Sequence, residues 1–186
     1  MRRLASNRDA LSNVVSTLII LVVSVLLAGV VSMYAVNITS TRTQQEALKV
    51  TKQAVWVYGD GTAYAALVID NVGGRDVVID KIQVRGVEAP WSNVYYKRLP
   101  STISTSLNCP NATPTWTDFE YTEGQTATFV NDTNDKPLAS GDTMIIYIMN
   151  PDSVTVSDIG VTIGITVFTE NAQYYVECNV KSAESA

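Results

Sequence analysis

ALSNVVSTLIILVVSVLLAGVVSMYAVNITST, residues 10–41, is the stretch that decides the fold of this chain, and it contains no charged residue. Val, Leu, Ile, Ala and small hydroxyl residues dominate it. Because an α-helix rises about 1.5 Å per residue, a helix of this length exceeds the roughly 30 Å hydrocarbon core of a bilayer. We therefore predict one apolar helix that can cross a membrane, behind a short basic leader.

The charges around this stretch predict its orientation. Arg2, Arg3 and Arg8 precede the apolar run, and a polar patch follows it before the next basic residue. The positive-inside rule then keeps the N-terminus cytoplasmic and exports everything after residue 40. An ordinary secretory signal fits poorly, because the bulky Met33 stands two residues before Ala35, where a cleavage site needs a small residue.

Small residues recur along the predicted helix. Ser24, Ala28 and Ser32 are four residues apart, so they share one face, and small residues at this spacing let helices approach closely. We predict that this face packs against other helices. The alternative is a single membrane anchor in which the spacing has no role. Good helix formers continue to about Lys52, so the predicted helix covers residues 11–53.

From residue 54 the pattern changes to alternating apolar and polar residues with frequent turn signals. Apolar runs flank the turn at residues 59–61, Gly-Asp-Gly, which predicts a hairpin. Strands without intervening helices predict a two-layer β-sandwich over residues 54–186. Residues 88–134 are rich in Pro, Ser, Thr and Asn and predict long loops, whose aromatic residues serve either as core or as adhesive contacts.

Composition excludes several classes of function. The formal net charge is −5, and the few basic residues are scattered, which argues against a nucleic-acid partner. Histidine is absent, so the commonest general base and a principal metal ligand are missing. The acids that could act in catalysis, Asp118, Glu120 and Glu123 or Asp132 and Asp135, lie in loop-like segments and are best explained as solvated turn residues. Asp132, Asn134 and Asp135 also lack the rest of a calcium-binding loop. We expect no enzyme, no cofactor and no metal.

Two cysteines and three Asn-X-Ser/Thr sequons suit an exported chain. We predict a disulfide between Cys109 and Cys178, with two buried free thiols as the alternative. The sequons begin at Asn37, Asn111 and Asn131, and we predict all three as N-glycosylation sites, although such motifs also occur by chance in polar loops.

The leader carries the most specific motif, Arg8-Asp9-Ala10-Leu11-Ser12. Two charged residues, a small residue and an apolar residue that opens a long uncharged helix resemble the class III leader of archaeal type IV pilins and archaellins. The resemblance implies that a prepilin peptidase cleaves between Ala10 and Leu11. Residues 1–10 are then the leader, and the mature helix begins at Leu11.

The resemblance covers the first 50 residues well and residues 63–84 more loosely. Residues 71–84, NVGGRDVVIDKIQV, look like the opening of the immunoglobulin-like domain of that family. The implied fold is α+β, a long N-terminal hydrophobic helix followed by an all-β immunoglobulin-like sandwich. Val15 stands where bacterial pilins carry a glutamate, which fits the archaeal branch.

The family implies a structural function. The chain is expected to polymerise through its N-terminal helix into an extracellular filament, a homopolymer for adhesion or motility. Its other expected partners are the prepilin peptidase, an assembly ATPase with its membrane platform, and, transiently, the membrane itself. The alternatives are a stator-like protein of the archaeal motor with an uncleaved helix, and another membrane-anchored surface binding protein.

Overall fold

The computed structural model describes residues 6–43 and 45–183, without the side chains of residues 6–10, 42 and 43. The chain divides into two compact units, Met1–Thr43 and Gln44–Ala186. The first unit holds one long helix, α1 (Ser6–Thr43). The second unit holds a β-sandwich, so the predicted α+β fold with an N-terminal apolar helix is confirmed.

The sandwich contains eleven strands in its described residues, with two short 3₁₀ turns at Trp91–Asn93 and Val156–Asp158. The strands, in chain order, are β1 (Leu48–Val57), β2 (Ala63–Asn71), β3 (Val77–Val84), β4 (Val87–Glu88), β5 (Val94–Leu99), β6 (Phe119–Thr122), β7 (Gln125–Ala127), β8 (Lys136–Leu138), β9 (Thr143–Met149), β10 (Thr162–Thr169) and β11 (Gln173–Ser182).

Two layers form the sandwich. The front sheet has the order β1-β2-β9-β5, and all its neighbours are antiparallel. The back sheet has the order β4-β3-β10-β11, and β8 also pairs with β3. The two layers join along one edge, because the end of β11 pairs in parallel with the end of β1. The separate hairpin β6–β7 lies within the long middle segment.

The predicted hairpin between β1 and β2 is confirmed. The two strands pair in antiparallel register, with Val57 opposite Ala63. The Tyr58 N–H donates to the Thr62 carbonyl at 2.8 Å, and the Asp60 carboxylate accepts from the Thr62 N–H at 2.8 Å. The Gly-Asp-Gly turn therefore closes the way its residue types predict.

The predicted C-terminal end of the helix is wrong. The helix ends at Thr43 rather than at residue 53, and β1 begins at Leu48. In this stretch the Glu46 carboxylate accepts hydrogen bonds from the Thr169 hydroxyl and from Asn171 Nδ2, the latter at 3.4 Å. These contacts tie the start of β1 to the β10–β11 turn, and such tertiary pairing outweighs helix propensity.

A β-bulge explains why β1 does not look like a strand in the sequence. Leu48 and Val50 before the bulge face the interior, and so do Val55 and Val57 after it. An unbroken strand would place these two pairs on opposite faces, since side chains alternate with a period of two. The bulge at Lys52, whose φ is 55°, shifts the phase by one residue and hides the alternation.

The inner cluster fills the space between the two sheets. Alternate residues of β2 contribute to it, as do Ile163, Ile165 and Val167 of β10, as their alternation predicts. β11 contributes Val180, which is buried, and Tyr174, Val176 and Cys178 of the same face pack against the cluster. This cluster makes the second unit a domain with a core of its own.

A second, outer cluster covers the other face of the front sheet. Residues 103–129, here called the covering segment, fold over that face, so all nine residues of β2 are buried. Trp116 stacks on Tyr95 of β5, with ring centroids 4.3 Å apart. The main members of the cluster are Trp56, Tyr58, Tyr64, Ala66, Val68, Leu107, Trp116, Phe119, Tyr121, Phe129, Ile145 and Tyr147. The aromatic residues of the middle segment are therefore largely core.

The predicted disulfide is wrong, since Cys109 and Cys178 are both free thiols. Cys109 packs in the outer cluster, 3.8 Å from the Tyr58 hydroxyl, whereas Cys178 packs against the inner cluster from β11. The front sheet separates the two clusters, so the thiols cannot meet. Burial raises the pKa of both thiols, which favours the protonated form.

Candidate functional site

The exposed surface of α1 is the most unusual feature of the first unit. Leu11–Thr41 form a helix long and apolar enough to cross a membrane. Every side chain from residue 11 to residue 41 is exposed, including Leu18, Val22 and Leu26. Anchors and signal sequences share this length and composition, and the helix is compatible with a membrane or extracellular location.

Some hydroxyl side chains of α1 donate hydrogen bonds to the backbone of the helix itself. The hydroxyl of Thr17 donates to the Val14 carbonyl at 2.9 Å, and the hydroxyl of Ser24 donates to the Ile20 carbonyl at 2.6 Å. Bonds of this kind need no water, so these residues can enter hydrocarbon or a helix interface at low cost.

The predicted packing face of α1 is present as a surface. Ser24, Ala28 and Ser32 are exposed at helical spacing, and a methyl group added at Gly29 would meet nothing within 4 Å. Contact of this face with other helices remains a prediction.

The predicted cleavage site lies where the helix is already formed. The backbone of Ala10 and Leu11 is helical, and α1 begins upstream at Ser6. The side chain of Ala10 and the first five residues of the leader lie outside the described residues. Cleavage at this bond remains a prediction.

The three predicted glycosylation sites lie in different environments. Asn37 is exposed within α1, and Asn111 is exposed in the covering segment. Asn131 is exposed as well, but its side chain makes hydrogen bonds within the domain. Its Nδ2 donates to the carbonyls of Trp91 at 3.1 Å, Ser92 at 2.8 Å and Val94 at 3.0 Å.

Sequence reasoning missed a buried lysine next to Asn131. Lys136 is fully buried, and its ammonium lies 4.5 Å from the ring centroid of Trp91 and 5.0 Å from that of Tyr96. The ammonium pairs with the Asp132 carboxylate at 2.5 Å and also donates to the Asn134 carbonyl. A single lysine in a polar loop gives no sequence signal of burial, since lysine is almost always exposed.

The Asp132–Lys136 ion pair involves one of the residues considered for a calcium site. The Asp132 carboxylate accepts hydrogen bonds from Lys136 and, at 2.6 Å, from the Tyr96 hydroxyl, and these bonds lower its pKa to about 2. Its oxygens are thus already occupied by protein donors. Within residues 6–43 and 45–183, no three His, Cys, Asp or Glu side chains come together to hold a metal ion.

The acids considered for catalysis belong to a turn. The Glu120 carboxylate accepts from the Gly124 N–H at 2.8 Å across the β6–β7 hairpin. Asp118 and Glu123 are exposed on either side of that hairpin. These positions agree with solvated turn residues.

Comparisons with known proteins identify no family. No protein-family model and no curated protein matches the sequence. Among solved structures, the chain is similar to a copper-bound PCuAC domain from PmoF2, with a TM-score of 0.34 and 11% identity over 75% of this chain and 100% of that chain. A likeness this distant carries no argument about function.

Proposed function

We propose that this chain is the structural subunit of an archaeal type IV pilus-like extracellular filament and polymerises through α1. The observation that carries the proposal is the uncharged helix Leu11–Thr41, exposed along its whole length and placed directly behind the motif Arg8-Asp9-Ala10. The helix first serves as a membrane anchor and then as the core of a polymer.

The energetics of α1 require a partner. Among residues 11–41, whose side chains the structure describes, eighteen large apolar side chains are between 41% and 73% exposed. Burying a Val, Leu, Ile or Met side chain contributes about 1.5–3 kcal/mol, so covering this surface is worth on the order of 20 kcal/mol. A helix that is apolar on all sides lies either in a membrane or inside an assembly.

In a filament, helices from identical copies of the chain bury one another's apolar surfaces. Each helix packs against neighbours related by a repeated head-to-tail operation that does not close, and such a contact propagates as a helical polymer. The small side chains of Ser24, Ala28 and Ser32 allow close approach between helices. The β-sandwich, which has its own core, then forms the outer surface, where it serves adhesion or motility.

The assembly pathway implies further partners. A prepilin peptidase removes residues 1–10 at the Ala10–Leu11 bond, and an assembly ATPase with its membrane platform extracts the mature helix from the bilayer. The precursor is membrane-inserted, and the product is an extracellular filament.

Cleavage is tested with a matched pair of variants. Ala10→Leu replaces the small residue at the proposed scissile bond, and Ala5→Leu makes the same change at the second small residue of the leader. Mass spectrometry of the chain from its own cells is expected to find Leu11 at the N-terminus of the wild type and of Ala5→Leu, and an uncleaved chain in Ala10→Leu. A wild-type chain that begins at Met1 or Arg2 favours the stator-like alternative instead.

Assembly is tested by electron microscopy of surface material sheared from cells with and without this chain. One filament type is expected to disappear on deletion and also in the Ala10→Leu cells, because an uncleaved leader leaves charged residues at the start of the helix. If every filament type persists after deletion, the proposal fails.

A further inference from the structure

We propose that Asn111 is the N-glycosylated residue of this chain and that Asn37 and Asn131 remain unmodified. The inference rests on one part of the proposed function, the export of the residues after the helix. All three asparagines have the same motif, so any difference between them comes from the structure.

The backbone around Asn111 is held by buried tyrosines of the front sheet. Three hydroxyls donate to alternate carbonyls of residues 108–112, and two of these tyrosines, Tyr64 and Tyr147, are almost completely buried. The bonds run from Tyr147 to the Asn108 carbonyl at 3.0 Å, from Tyr58 to the Pro110 carbonyl at 2.6 Å and from Tyr64 to the Ala112 carbonyl at 3.1 Å.

This arrangement engages the main chain and leaves the motif itself free. Asn111 and Thr113 are both exposed, and within the described residues neither side chain has a hydrogen-bond partner. Both are therefore available to a modifying enzyme without loss of any contact in the domain. An open groove of about 590 Å³ adjoins them, lined by Thr117, Asp118 and Glu120 among others, and offers polar groups to the first sugars.

Asn131 is the opposite case. Its Nδ2 carries two hydrogens and shares them among three backbone carbonyls, those of Trp91, Ser92 and Val94. A sugar on this nitrogen replaces one hydrogen and occupies the space next to those carbonyls. The bond to the Val94 carbonyl is half-buried and the other two are exposed, so a glycan at Asn131 costs the loop the contacts of the replaced hydrogen, whereas a glycan at Asn111 costs no contact.

Asn37 lies inside the helix. The hydroxyl of Thr39, which the motif needs, donates to the Ala35 carbonyl at 2.9 Å. A modifying enzyme has to bring the asparagine amide and this hydroxyl together, and that requires local unwinding of α1. Asn111 requires no such change, since residues 106–113 lie in neither helix nor strand.

The reaction needs a sugar donor from outside the chain. The chemical class is an isoprenoid-phosphate-linked oligosaccharide on the outer face of the membrane, used by an oligosaccharyltransferase. Nδ2 of Asn111 forms a bond to the sugar C1, the C1–O bond to the lipid phosphate breaks, and the phosphate leaves with the electron pair. One amide proton passes to the enzyme, so the asparagine keeps one N–H.

Two matched variants test the assignment without touching either asparagine. Thr113→Ala removes the motif at Asn111, and Thr133→Ala removes the motif at Asn131 while leaving its three hydrogen bonds in place. Both threonines are exposed, so both variants are expected to fold. Peptide mass spectrometry of the chain from its own cells is expected to find the sugar mass on Asn111 in the wild type and in Thr133→Ala, and to lose it in Thr113→Ala.

A sugar mass on Asn37 or Asn131, or its survival in Thr113→Ala, overturns the assignment. Electron microscopy of the same preparations separates this inference from the filament proposal. Filaments built from an unmodified chain overturn the inference and leave the filament standing. A modified Asn111 in a chain whose deletion removes no filament overturns the filament alone.

Discussion

The helix α1 and the strand β2 are both apolar segments, but the chain treats them in opposite ways. Residues 11–41 of α1 are exposed on every side, whereas all nine residues of β2, Ala63–Asn71, are buried. β2 is covered on its inner face by the back sheet and on its outer face by the covering segment. The chain thus covers one apolar segment completely and leaves the other without cover of its own.

The difference distinguishes folding from assembly. A segment that its own chain covers stabilises the domain, and its substitution changes the stability of that domain. A segment exposed on all sides does not contribute to a core within its chain, so its apolar character serves a membrane or a partner. If this distinction holds, substitutions in β2 and in α1 have separable effects.

The largest effect on stability is expected from truncation in β2. Leu67 is fully buried in the inner cluster, so Leu67→Ala is expected to lower the free energy of unfolding by about 2–5 kcal/mol. Val22→Ala in α1 is the control and is expected to leave the domain unchanged, since Val22 is 53% exposed. Thermal unfolding of the full chain in detergent, followed by tryptophan fluorescence, measures both.

The fluorescence reports on the β-sandwich alone, because Trp56, Trp91 and Trp116 all lie in the second unit. An equal loss of stability in the two variants would mean that α1 contributes to the core of the domain, and the distinction between the two segments would be lost.

The sequence predicts these two segments unequally well. An uncharged run as long as residues 10–41 has few alternatives to a helix, and the Gly-Asp-Gly turn marks the β1–β2 hairpin without long-range information. The alternation in β10 likewise predicts its buried face. The covering segment is different, because its aromatic residues are separated by polar loops and become core only through contacts distant in the sequence.

The wrong predictions also arise from contacts between residues that are distant in the sequence. The bulge at Lys52 breaks the alternation of β1, and the helix formers around it then favour the wrong element. The disulfide pairing of Cys109 and Cys178 depended on the relative position of two layers, which neither spacing nor composition determines. The buried Lys136 and the three hydrogen bonds of Asn131 are also long-range features of the folded domain.

The pH dependence of stability is a second property in which α1 and the β-sandwich are expected to differ. Residues 11–41 carry no Asp, Glu, Lys or Arg, so contacts of this part of α1 are expected to be insensitive to a change from pH 4 to pH 2. The domain contains the Asp132–Lys136 pair, and the folded pKa of Asp132, about 2, lies below the ordinary value of about 3.8. The pair therefore contributes stability above about pH 4, and this contribution is lost as the pH falls through 2.

Two neighbouring acids provide the test. Asp132→Asn is neutral at every pH, so its unfolding free energy is expected to fall less between pH 4 and pH 2 than that of the wild type. Asp135→Asn is the control, because the exposed Asp135 has no partner within the described residues and the acid-dependent loss should persist. Urea unfolding at a series of pH values measures both, and equal slopes in the two variants would contradict the role of Asp132.

The smallest effect on stability is expected from the tyrosine hydroxyls that donate hydrogen bonds to the covering segment. Tyr64→Phe removes the donor to the Ala112 carbonyl and is expected to cost about 1 kcal/mol of unfolding free energy. Tyr175→Phe is the matched control, because its hydroxyl donates to the exposed Glu177 carboxylate on the open face of the back sheet, and loss of a solvated bond is expected to cost almost nothing. Urea unfolding at neutral pH separates the two. Equal losses of unfolding free energy in the two variants would mean that the Tyr64 hydroxyl does not stabilise the covering segment. The cover of β2 would then contribute less to the stability of the domain than its burial suggests, and the contrast with α1 would be weaker.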